Sequence, residues 1–167
     1  MKKFELTTDF ITAFGIKLFR IKALVEFGTV KAGELGGYIE KEENLDHGGD
    51  AWVYGNARVY GDAWISGNAR VYSNAWVCGD ADYLNIGPIG SRDDFTTFYR
   101  CKDGTTMVVC GCFHDTIDAF EERVKAVHHG TPHEAAYLAS IACARARINT
   151  DPAEEGTQDE EGKRENH

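Results

Sequence analysis

The sequence predicts a mainly β protein: short strands turned at regular corners, a small N-terminal β cap, and a C-terminal cap of ββαα order. Three observations predict it. A six-residue repeat fills the middle of the chain, from Gly49 to Leu84. The flanks lack that repeat and carry other signals, period-two alternation before it, then a hairpin turn and helical spacing after it. Hydrophobic residues make up 43% of the 167 residues, enough for a packed core and too many for wholesale disorder. The implied organisation is an N-terminal cap at 1–36, the repeat region at 37–86, a C-terminal domain at 87–149 and an acidic tail at 150–167.

In the N-terminal cap, KLFRIKAL puts Phe19, Ile21 and Ala23 on one side of a strand and Arg20 and Lys22 on the other. With KFELT before it and Phe14-Gly15 between, the segment reads as a small antiparallel sheet.

Written in sixes, the repeat is GDAWVY, GNARVY, GDAWIS, GNARVY, SNAWVC, GDADYL. Position one is Gly except at Ser73, position two is Asn or Asp, and position three is always Ala. Position five is aliphatic in five units and Tyr83 in the last. A helix is excluded, because each interior Gly would cost about 1 kcal/mol. Gly and Asn tolerate the positive φ that a sharp corner needs. Along each short strand the Ala and the aliphatic residue two places on face the same side, giving a narrow core.

After the repeat, TTFYRC and TTMVVCGCF flank the turn signal Lys102-Asp103-Gly104. A helix follows, with Asp115 or Thr116 as N-cap and Ile117, Phe120, Val124 and Val127 on one face, ending near Gly130. A second opens at Thr131-Pro132-His133-Glu134, a capping box with Pro at the first helical position. Its expected inner face is Leu138, Ile141, the stem of Arg145 and Ile148. The tail has a single apolar side chain, Ala153, and is expected to be disordered.

An aliphatic residue followed four places later by a small one recurs from Val53 to Ala57, Val59 to Ala63, Ile65 to Ala69, Val71 to Ala75 and Val77 to Ala81. This resembles the hexapeptide-repeat, left-handed parallel β-helix family, with Ile39 and Leu45 as degenerate units of a preceding coil. The resemblance implies eighteen residues per coil, so side chains eighteen apart stack at about 4.8 Å. Trp52 would lie over Arg70, Arg58 over Trp76, Trp64 over Asp82, and Tyr54 on Tyr72. The GNARVYG wording, with GELGGYIEKEENL and IGPIGSRDDFTTFYRCKDG, is similar to proteins of bacteriophages and prophages. Many hexapeptide-repeat enzymes are acyltransferases with a catalytic His, but residues 49–84 contain no His, which argues against that activity.

Net charge is −9, with eight acidic against three basic side chains in residues 35–90. No basic stripe of a nucleic-acid binder appears. No apolar run approaches the roughly 20 residues of a membrane span, and no secretory h-region follows Lys2-Lys3, so a cytoplasmic protein with reduced thiols is expected. No P-loop, G-x-S-x-G or H-E-x-x-H occurs, and no cofactor is implied. The expected function is a non-enzymatic, phage-type binding protein, homo-oligomeric, that engages a host protein or antiviral defence complex. Its partner-binding surface would be an exposed ladder of Trp52, Arg58, Trp64, Arg70, Tyr72 and Trp76, residue types that dominate binding hot spots. An alternative is capture of a nucleotide-like anion by a Gly-rich loop with Gly87, Gly90, Arg92 and Arg100. A relative of the acyltransferases and an acidic DNA mimic are further alternatives. Cys110, Cys112 and His114 form a weak metal-ligand spacing, more simply read as thiols packed inward beside Val108.

Overall fold

The computed structural model describes residues 1–13, 15–72 and 74–152. The tail expected to be disordered lies outside the described residues from 153 onward. Strands β1 (Phe4–Ala13) and β2 (Ile16–Ala23) pair antiparallel, Phe4 opposite Ala23, and β2 pairs antiparallel with β3 (Leu35–Ile39). The repeat supplies four two-residue strands, β4 (Trp52–Val53), β5 (Arg58–Val59), β6 (Arg70–Val71) and β7 (Trp76–Val77). An antiparallel sheet follows, built from β8 (Tyr83–Ile89), β9 (Asp94–Arg100), β10 (Thr106–Cys110) and β11 (Phe113–Thr116). Helices α1 (Ile117–Val127) and α2 (Pro132–Arg147) close the described chain.

The sheets overturn the expected left-handed parallel β-helix. Strands β3, β5 and β7 pair in parallel, but β3 also joins antiparallel β2, so the five-stranded sheet β1-β2-β3-β5-β7 is mixed. Strands β4 and β6 form a separate two-stranded sheet, and no sheet closes or runs on as a solenoid. The reason lies in the third hexad of each set. Among the described residues the hexad at 61–66 pairs through an isolated bridge, Leu45 to Ile65. The last hexad turns into a 3-10 helix at Asp80–Asp82 and then into antiparallel β8.

The eighteen-residue register is nonetheless visible in the pairs Arg58–Trp76 and Val53–Val71, whereas β3 meets β5 at a spacing of twenty, Tyr38 to Arg58. Four corners are glycines with φ near +60°, at Gly49, Gly55, Gly61 and Gly67, while Gly79 is extended. At Gly61 the close approach is as demanding as the dihedral, because a Cβ would stand 2.6 Å from the Cys78 carbonyl oxygen. Ala51, Ala57, Ala63, Ala69 and Ala75 are buried with Val53, Val59, Ile65, Val71 and Val77 in one core with Phe4, Ile21 and Ile39, whereas Ala81 of the last hexad is exposed.

The C-terminal unit is ββββαα, not ββαα. β8 was hidden by Gly87 and Pro88, where its pairing with β9 shifts register, and β11 by its brevity. The four-stranded sheet divides the molecule. Tyr99 and Val109 pack toward the repeat, while Phe98 and Val108, one residue away on β9 and β10, pack under the helices. Thr116 is the N-cap of α1, accepting from the Ala119 amide, and Thr131 caps α2 through the Glu134 amide. Ile117, Phe120 and Val124 are buried as expected, but Val127 is 59% exposed. On α2 the inner face is Tyr137, Ser140, Ile141 and Ala144; Arg145 instead pairs outside with Asp118 and Glu121. No described helix is long and apolar enough to cross a membrane.

Gly61→Ala should cost about 1–3 kcal/mol, since strain and collision add. Gly130, at φ +75° with open space around it, isolates the dihedral cost alone, about 1 kcal/mol. Urea midpoints of the two variants test this; a smaller loss at Gly61 than at Gly130 would contradict the close approach.

Candidate functional site

The expected ladder is present in part: Trp52 and Trp76 are buried, Arg58, Arg70 and Tyr72 are half-buried, and Trp64 is exposed. Arg58 lies 4.5 Å over the Trp76 ring, and Tyr54 stacks on Tyr72 at 4.3 Å with planes 6° apart. Trp52 pairs in register with Arg70 but is 0% exposed, held edge-on by Phe4 and Phe27. Its indole Nε1 is the one buried side-chain nitrogen or oxygen without a partner among the described residues. Trp76 is also buried, and the Arg70 amide donates to the Thr97 hydroxyl. Tyr72 faces His114 at 4.7 Å. Burial therefore takes Trp52 and Trp76 out of any exposed recognition face.

Trp64 alone of the three tryptophans is open, at 53% exposure. It does not stack on Asp82, which is drawn inward to Arg100; Tyr83 instead donates its hydroxyl to the Trp64 carbonyl at 2.6 Å. Beside the ring lies an open groove of about 500 Å³ lined by Glu42, Glu43, Leu45, Asp46 and His47. The Lys3 amide donates to His47 Nδ1, so neutral His47 carries its proton on Nε2 and donates to Glu42 Oε1 at 3.0 Å. Partial burial opposes ionisation of Glu42, but the hydrogen bonds from His47 and Lys2 outweigh it and hold its carboxyl below the usual range.

Lys3, which sequence reasoning did not single out, fixes this corner. Its ammonium is buried and donates to the carbonyls of Gly48, Gly49 and Ala51, the last at 2.8 Å, and it lies 4.7 Å over Phe27. Burial pulls it down to about 8, against the attraction of Asp46 and Asp50. One of two N-terminal lysines gave no signal of this role.

The residues expected to bind an anion separate. Arg100 is buried, 3.3 Å from Asp82, and donates from Nε and Nη2 to the Trp76 carbonyl, so it clamps the repeat to β9. Gly87 and Gly90 are packing positions: a Cβ at the first would meet Phe95 at 2.7 Å, and one at the second would collide with the Tyr137 hydroxyl. Arg92 alone faces a cleft, about 230 Å³, shared with Cys110, Cys112, Arg123, His128 and Tyr137.

The Cys110-Gly-Cys112-Phe-His114 cluster also separates. Gly111 and Cys112 form the turn between β10 and β11, leaving Cys112 exposed rather than packed inward. His114 bonds the Tyr99 hydroxyl at 2.7 Å, and partial burial lowers its pKa. No group of three or more His, Cys, Asp or Glu able to hold a metal occurs among the described residues.

Residues 51–66 and 63–79 match the family model described as the YdcK beta solenoid repeat. The middle of the chain thus carries β-solenoid repeats, although its sheets are mixed. No curated protein matches the chain.

The lowered Lys3 pKa has a measurable sign. Between about pH 8 and about pH 10 the unfolded chain holds that proton and the folded chain releases it, so Lys3 adds stability as pH rises. The buried Cys101 thiol, pushed up from 9.0 to about 12 by burial, acts in the opposite direction above about pH 9 and so overlaps the upper part of the Lys3 window. The expected signature is therefore a difference. Urea unfolding of wild type minus that of Lys3→Met should become more favourable to wild type with pH, and a flat difference would contradict the buried ammonium.

Proposed function

We propose that the protein is a non-enzymatic binding protein of the phage or prophage kind that its repeat wording resembles. It acts in the host cytoplasm and engages a host macromolecule, a component of antiviral defence. The observation that carries this reading is Trp64, an apolar ring left open on an acidic face while Trp52 and Trp76 are buried. An exposed tryptophan costs solvation unless a partner covers it, and Trp is enriched among residues that dominate interfaces. Glu42, Glu43 and Asp46 around it favour a partner segment bearing Lys or Arg, which can also sit over the indole face. Homo-oligomerisation belongs to the same reading: β1 is an open edge of the five-stranded sheet, available to a second copy.

The test is affinity capture from host lysate with wild type, Trp64→Ala and Asp46→Lys. Truncating a hot-spot tryptophan costs about 2–4 kcal/mol, so partner recovery should fall at least about 30-fold with Trp64→Ala. Asp46→Lys should weaken capture and reduce its sensitivity to salt. Equal recovery by all three proteins would overturn the assignment of this face.

A further inference from the structure

On the far side of the four-stranded sheet from the repeat, the cleft beside Arg92 has the features of a ligand site. It lies between the β8–β9 connection, the Gly111-Cys112 turn and the C-terminal half of α1. Its floor is apolar and rigid: Phe120 and Val124 are buried, Phe113 packs on Phe120 at 5.2 Å, and Tyr137 meets Phe120 edge-on at 5.6 Å. Its rim carries two guanidinium groups from different elements, Arg92 from the connection and Arg123 from α1.

Neither arginine makes a hydrogen bond or ion pair among the described residues, and both are exposed. This contrasts with Arg100 and Arg145, each joined to carboxylates. Asp94 also lines the cleft, but its carboxylate accepts from the Phe95 amide at 2.7 Å. Two unpaired forks above an aromatic floor match a molecule that is anionic at one end and flat and apolar at the other. The volume sets its size. A cavity of about 150 Å³ holds benzene, and drug-sized ligands need about 300 Å³ or more, so about 230 Å³ takes one ring with an acid group. The carbonyl end of α1, at His128, repels an anion. The acid group therefore belongs at Arg92 and Arg123, and the ring toward Val127 and Tyr137.

We propose that this cleft binds a small aryl acid, a single-ring phosphate or carboxylate, through Arg92 and Arg123. The proposal does not depend on the Trp64 face, and its readout is separate. Cys112 is an exposed thiol in the lining, and Cys143 is an exposed thiol outside it. Phenyl phosphate is the probe, and iodoacetamide labelling of each cysteine is followed by mass spectrometry. Phenyl phosphate should slow labelling of Cys112 several-fold and leave Cys143 unchanged. It should also raise the melting temperature. Arg92→Gln and Arg123→Gln should each weaken both effects about tenfold or more in midpoint concentration while the circular dichroism spectrum stays that of wild type. Equal protection by inorganic phosphate would overturn recognition of the ring, and equal protection by benzyl alcohol would overturn recognition of the charge. Absence of protection by phenyl phosphate, or variants that respond as wild type does, would overturn the site itself.

Discussion

Val77 lies over Val59 and Val71 over Val53, each pair eighteen residues apart, with Ile39 joining the first column at a spacing of twenty, and these columns constrain almost everything around them. The narrow interior beside these columns is filled by the alanines of the first five hexads, all buried, while Ala81 of the last hexad lies outside it. A narrow interior requires sharp corners, and sharp corners require glycine where the next carbonyl approaches within contact. Asn44, fully buried in this region, donates its amide to the carbonyls of Gly61 and Ala63, while the Trp52 indole Nε1 is left without a partner. Backbone dihedral and side-chain volume thus agree through the first four hexads, a consistency expected of a minimally frustrated sequence.

A second constraint joins this region to the rest. Arg100 and Asp82 are both almost fully buried and face each other from β9 and the last hexad. An ion pair removed from water gains little net energy, because desolvation offsets attraction, but breaking one side of it leaves a charge stranded. Its contribution is therefore to position. With the Trp76 carbonyl accepting from the same guanidinium, it fixes where the repeat ends and where the antiparallel sheet begins. The Cys78 amide and thiol both donate to Asp82, so the corner has one arrangement that satisfies every group.

The repeat period, the buried alanines, the Arg58–Trp76 and Tyr54–Tyr72 contacts, the Lys102-Asp103-Gly104 hairpin and both helix N-caps were legible in the sequence. These features depend on neighbours in the chain or on a spacing that can be counted. The sheet architecture was not. The last hexad leaves the repeat where Asp82 meets Arg100 of β9, a contact that the hexad pattern does not carry. Strand β8 was illegible because Gly87 and Pro88 are ordinary loop residues, tolerated here where the pairing with β9 slips. The site residues divide on the same ground. Trp52 and Trp64 occupy identical positions in their hexads, yet one is enclosed by Phe4 and Phe27 from the N-terminal strands and the other is left open. Arg92 and Arg123 lie far apart in sequence, and only the packing of α1 on the sheet brings both to one cleft.

The unequal surroundings of the three tryptophans have an optical consequence. Trp52, sealed among rings, should emit at short wavelength and resist a polar quencher, whereas Trp64 should emit at long wavelength and be quenched readily. Trp76, with cationic side chains of Arg58 and Lys102 over its ring, occupies a third environment. The chain therefore carries its own set of resolved fluorophores, one reporting the core, one the solvent-facing groove and one the seam between the repeat and the antiparallel sheet.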